Sequence, residues 1–332
     1  MNRHKEVWSV GICALVLALA VRIFSGAGLL SGNNTGLLSL LVYLQTGRVV
    51  RYPDEVILET LPATQPSVPQ IDAFGGVSFT SADLEAVELN DLSGYDPDLE
   101  YLLLSPLQWD LTDGQPRVLI LHTHATESYT KQPGEIYEED SDYRTLNPAF
   151  NMLSIGDELT RVLTAGGISV LHDRTLHDYP SYSGSYDLAR DTIRSYLEAF
   201  PSVCMVIDLH RDALDFSKDP QLTTLADVGG NASAQLMIVA GTDKNVSYEN
   251  WEENLALGVK LTATLEKMYP GITRPLQLRA QRFNLDMTAG SILVEVGANG
   301  DSHQQALVAV RALGAAILVL SQGANLQNAP PS

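Results

Sequence analysis

Cysteine is nearly missing from this chain. There are two in 332 residues: Cys13 lies in an N-terminal apolar segment and Cys204 in a later apolar run. So placed they are not partners, and a chain of this length can build a core without a disulfide. Closely spaced cysteine pairs are also absent, which excludes a cysteine-based zinc site. Positive charge is scarce: 21 Lys and Arg stand against 40 Asp and Glu, for a formal net charge of -19. That is the wrong sign for gripping nucleic acid through its phosphates. No internal repeat is visible, and Ser128 lacks the Gly-rich surroundings of a nucleophile elbow, which argues against a serine hydrolase. The hydrophobic fraction of 45% is ordinary for a globular protein.

The first thirty residues set the compartment. Arg3 and Lys5 precede an uncharged apolar stretch from Ser9 to Val21, and Arg22 interrupts before it resumes. Trp8 to Leu30 is just long enough to span a bilayer, with Arg22 snorkelling to the far interface. Ser25-Gly26-Ala27 offers the rival reading of a cleaved signal peptide, but the apolar stretch outruns a signal-peptide core. Basic residues before the segment place the N-terminus inside and the remainder outside. The expectation is a single-pass protein of the cell membrane with an extracytoplasmic working domain. Its predicted organisation is a cytoplasmic tip and anchor over 1–30, a stalk or linker over 31–115, and a catalytic domain over 116–325. In the stalk, Ser39 to Gly47 fits a short amphipathic helix and Pro62 to Gln70 is Pro-rich. Ser81 to Asp113 is acidic, with a turn at Asp96-Pro97-Asp98. A solvated tether is expected there.

From Arg117 the pattern changes to alternating strands and helices. Val118 to Leu121 reads as a strand buried on both faces. A helix is expected over Ser154–Gly166, with Ser154 as its cap, and another over Tyr186–Phe200. Strands are expected at Ile168–Leu171, Val203–Leu209, Gln235–Ala240 and Ser291–Val296. Helices over Trp251–Met268 and Gln304–Leu320 complete the pattern. It implies an α/β, three-layer fold with a mostly parallel sheet.

Three strand ends carry polar groups. The first gives His122, His124 and Glu127, and the second Asp208, His210, Arg211 and Asp212. The third sets Glu295 inside an apolar strand. In open α/β sheets, ligands collect at the carboxyl ends of strands. A carboxylate inside a buried strand is costly unless it is paired, protonated or close to a metal. Two histidines and a glutamate suit catalytic Zn2+. His124, Glu127 and His210 form the candidate metal set, with Glu295 as general base on water. This order resembles that of the zinc carboxypeptidases. His122 is two residues from His124, so an extended strand would point both rings to one face. One of them is then the ligand and the other a hydrogen-bond partner or transition-state stabiliser; His124 is preferred as ligand and His122 as the catalytic helper. Arg211, Arg282 and Asn284 are candidates for holding substrate. His172 and His177 read as surface or loop histidines.

The blocks LHTHATESY, VIDLHRDA, QLMIVAGTD and SILVEVGANG resemble the signature blocks of the stage II sporulation protein P family. The resemblance runs through about 200 residues of the catalytic region. That family is a membrane-anchored peptidoglycan hydrolase of endospore-forming bacteria, with a zinc amidase/carboxypeptidase-like (phosphorylase/hydrolase-like) fold. The resemblance implies N-acetylmuramoyl-L-alanine amidase activity and endopeptidase activity on peptide cross-links. It also implies a part in septal-wall thinning and forespore engulfment. Stage II sporulation proteins D and M are its implied partners, and Glu295 its implied base. One departure from the pattern is that Asp301 follows Asn299-Gly300 where relatives often have Asn-Thr. Two other readings compete: a zinc carboxypeptidase or endopeptidase acting on stem peptides alone, and a catalytically inactive wall-binding scaffold.

Overall fold

The structure, a computed structural model, describes residues 77–107, 110–139, 143–217 and 221–327, all within one compact unit. The expected anchor, the helix at Ser39–Gly47 and the Pro-rich stretch lie outside the described residues.

A seven-stranded sheet organises the unit. Its strands are β1 (Leu89–Asp91), β2 (Val118–Leu121), β3 (Val170–His172), β4 (Met205–Asp212), β7 (Leu236–Gly241), β8 (Leu276–Arg279) and β9 (Ser291–Ala298). The spatial order is β1-β8-β7-β9-β4-β2-β3. Every neighbouring pair is parallel except β7 with β9. A separate hairpin joins β5 (Leu225–Val228) to β6 (Asn231–Ala234).

Apart from Ser291 and the polar groups of the site on β4 and β9, the central strands are apolar because both faces are covered. Along β2, Val118 and Ile120 enter the larger core while Leu119 and Leu121 enter a second cluster on the opposite face. The first face carries α2 (Met152–Ala165), α4 (Trp251–Met268) and α5 (His303–Gln327). The other carries α3 (Ser185–Ala199). This is the expected three-layer α/β architecture. Asn151, rather than Ser154, caps α2, its side chain accepting from Leu153 N at 3.0 Å. The Ser154 hydroxyl instead bonds Asn151 O and the His303 ring. Helix α5 is the one helix among the described residues long and apolar enough to cross a membrane, yet most of it is buried in this core. Gly314 lets it approach α2, since a Cβ there would lie 2.6 Å from Val162 Cγ1.

Residues 77–107 correct the expectation of a tether. β1 pairs with β8, and α1 (Leu99–Leu104) packs on α4. Val87, Leu102 and Leu103 join the main core, so a few apolar side chains fix an otherwise acidic stretch. Lys260 of α4 is buried beneath α1 and donates to Leu102 O at 2.7 Å and to Leu103 O. A cation is favourable at these last helix carbonyls, which have no partner within the helix.

Candidate metal and hydrolase site

The parallel strands β2, β4 and β9 lie side by side, so their carboxyl ends open on one edge of the sheet. The register sets His210 opposite Glu295, which puts the two on the same face. Beyond Leu121 the chain leaves the extended form and turns through residues 123–126. That turn brings His124 to within 5.1 Å of His210, ring centroid to ring centroid. Glu127 follows, its Oε2 lying 3.7 Å from His210 Nδ1. His124, Glu127 and Glu295 thus each lie beside His210.

His122 does not join them. Its Nδ1 contacts Leu209 O at 3.2 Å, and its Nε2 meets His172 Nε2 at 2.9 Å. The expected common face for the two histidines fails because the turn begins between them. His172, on β3, and His177, in the loop that follows, are both buried, so neither is a surface group. His172 also contacts Asp157, and His177 bridges His122 O and Thr192 Oγ1.

The three candidate substrate residues are engaged within the protein. Arg211 donates to Ser128 O and Tyr143 O and is buried. Arg282 pairs with Asp286 at 3.3 Å. Asn284 adopts a left-handed φ of 60° and donates to Tyr186 O at 2.7 Å. Asp301, the departure from the family pattern, closes a turn by accepting from Ala298 N, Thr224 N and Thr224 Oγ1.

Other residues at the site had little or no sequence signal. Tyr182 stacks on His124 at 4.5 Å, and Tyr186 meets the same ring edge-on at 5.6 Å. Tyrosines at 179, 182 and 186, leading into a helix, were the only hint of this wall. Arg144 ties Glu127 Oε1 at 3.2 Å to Asp178 Oδ2 at 2.6 Å, and its guanidinium lies over Tyr182. It arrives from a loop without any pattern.

Burial dominates the electrostatics. It pulls the His124 ring down to about 4, and the nearby His210 adds to that. Burial also opposes charge on His210, but Asp208, Glu127 and Glu295 outweigh it and raise that ring to about 10. The Asp208 carboxyl, though desolvated, is brought to about 2 by His210 and Thr123. Burial raises Glu295 to about 8, His210 opposing and Glu127 adding.

Among the described residues, no three His, Cys, Asp or Glu side chains stand together as a ready-made metal cluster. The donors nevertheless fit one. His124 Nδ1 and Glu295 Oε2 are buried without a hydrogen-bond partner, a costly state for polar atoms. His210 Nδ1 and Glu127 Oε2 are separated by little more than the ~3.3–3.4 Å that two ligands of a tetrahedral zinc span at ~2.0–2.1 Å bonds.

The chain matches the family model for stage II sporulation protein P over residues 70–318. It belongs to that family. The stage II sporulation protein P of Bacillus subtilis (strain 168) is 30% identical over 200 residues, covering 56% of this chain and 46% of that protein. The aligned part is thus less than half of that relative's length. Solved structures with some likeness include N-acetylmuramoyl-L-alanine amidase AmiC2 of Nostoc punctiforme. It is 14% identical at a TM-score of 0.36, over 65% of this chain and 98% of that one. Another is the CwlD amidase of Clostridioides difficile, solved with the GerS lipoprotein. It is 11% identical at a TM-score of 0.37, over 64% and 97%.

Proposed function

We propose that this protein is a zinc-dependent peptidoglycan hydrolase that cleaves the N-acetylmuramoyl-L-alanine amide bond and, in addition, peptide cross-links. The observation that carries the reading is the gathering of His124, Glu127 and His210 at one sheet edge, with Glu295 opposite His210 and Oε2 unpartnered. Family membership supports peptidoglycan as the substrate class and sporulation as the setting; the proposal extends this to septal-wall degradation and forespore engulfment, with stage II sporulation proteins D and M as partners. A membrane anchor at 1–30 and an extracytoplasmic domain belong to the same proposal.

In this reading His124, Glu127 and His210 hold the ion. Bound zinc supplies Lewis acidity toward the scissile carbonyl and the attacking water. Glu295 takes the proton of that water at Oε2 and returns it to the leaving nitrogen. Burial alone would keep Glu295 protonated at neutral pH, so its use as a base depends on positive charge close by. Tyr182 and Tyr186 wall the His124 side and limit water there. Arg144 and the Arg211 backbone N–H fix the Glu127 carboxylate.

The test is digestion of purified cell wall by the full-length protein supplied with zinc, followed by mass analysis of the fragments. Amidase action releases stem peptides with a free L-alanine amino group, and endopeptidase action opens cross-links. Glu295→Gln should keep zinc and lose hydrolysis by about a hundredfold or more, the scale of a positioned base. Cross-link cleavage without free L-alanine termini would replace the amidase assignment with a stem-peptide endopeptidase. No cleavage of either kind by the parent would leave a wall-binding scaffold.

A further inference from the structure

We infer that Asp208 is the positioning residue of this site, one carboxylate that sets two of the proposed metal-holding histidines at once. The inference rests on the zinc reading above. Asp208 sits on β4 opposite Leu121 of β2 and is buried. Its Oδ1 accepts from Thr123 N at 2.8 Å and its Oδ2 from Thr123 Oγ1 at 2.6 Å. Thr123 opens the turn that carries His124, so these bonds fix where that turn leaves the strand.

The same Oδ1 lies 3.0 Å from His210 Nε2. The two are not aligned as a full hydrogen bond, yet the carboxylate stands within ion-pair distance of that nitrogen. A proton held on Nε2 leaves Nδ1, the atom facing Glu127, as the free donor to a cation. A carboxylate behind a ligand histidine fixes its tautomer and raises its basicity. Asp208 thereby couples the placement of His124 to the donor strength of His210.

The test compares zinc affinity, by chelator competition on the full-length protein, in four forms. Asp208→Asn retains Oδ1 as acceptor for Thr123 N and His210 Nε2, while its amide turns to Thr123 Oγ1, which can accept. Only the charge is lost. It should bind zinc about tenfold more weakly with the circular dichroism of the parent, and Asp208→Ala up to about a hundredfold more weakly. Thr123→Val removes one contact to the turn and leaves the Asp208–His210 pair, so it should stay within about threefold. Asp208→Asn within twofold of the parent overturns the inference, as does an equal loss in Asp208→Asn and Thr123→Val. Should Asp208→Ala fail to fold, the Asn and Val variants still decide. A parent that takes up no zinc removes the zinc reading itself, and this inference falls with it; zinc uptake by the parent separates the two failures.

Discussion

Two histidines with one residue between them meet unlike surroundings. The ring of His124 lies against Tyr182, Tyr186 and His210, with Nδ1 unpartnered. That of His122 is fully buried against His172 and Leu209 O. Single alanine variants should therefore separate. His124→Ala should lose bound zinc by metal analysis and keep its fold. His122→Ala should keep zinc and lose stability by about 1–3 kcal/mol, the cost of stranding buried partners, read by urea unfolding. Zinc retained in His124→Ala and lost in His122→Ala would reverse the assignment. The sequence could nominate both rings because residue type and strand-end position are written in it. It could not choose between them, because the choice depends on where β2 stops being extended. Asp208, on a neighbouring strand, helps to fix that point. The internal hydrogen bonds of Arg211 and Asn284 were hidden for a similar reason, since they depend on where neighbouring loops fall.

At the scale of elements, the apolar runs were legible. VLIL, VCMVIDL and SILVEV each became a central strand, because continuous β-branched and leucine runs of that length suit burial on both faces. β1 and β8 were not legible, being short and partly polar. The closeness of α2 to the sheet was hidden too, since it depends on what Gly156 lacks. A Cβ there would lie 2.4 Å from His172 Nε2 and 2.6 Å from His122 Nε2. Replacing a helical glycine with alanine ordinarily gains up to about 1 kcal/mol. Here the clash outweighs it, because both imidazoles are pinned by hydrogen bonds and cannot yield. Gly156→Ala should destabilise by about 1–3 kcal/mol in urea unfolding. A stabilised variant would show that α2 can lift away freely.

For the whole molecule, Lys260 joins the N-terminal piece, β1 and α1, to the body of the fold. Burial alone lowers its ammonium to about 8 from an ordinary 10.5. Below pH 8 the amine is charged in both folded and unfolded chains, and the fold carries the full desolvation cost. Between about 8 and 10.5 the unfolded chain holds a proton that the folded one has released, so this contribution makes stability rise with pH. Lys260→Met should lack that rise when the two proteins are compared by urea unfolding across the window. Equal slopes would place the amine in water. The order of the strands along the chain has a consequence of another kind. His124, Glu127 and His210 are all made before Glu295, which arrives on the last strand of the sheet. That strand lies between β4, made some eighty residues before it, and β7, so the sheet is in two halves until it enters. A chain still being synthesised therefore has the proposed ion-holding residues without the proposed base. Under the proposed function, wall-cutting ability is withheld until β9 has been made and has entered the sheet between β4 and β7.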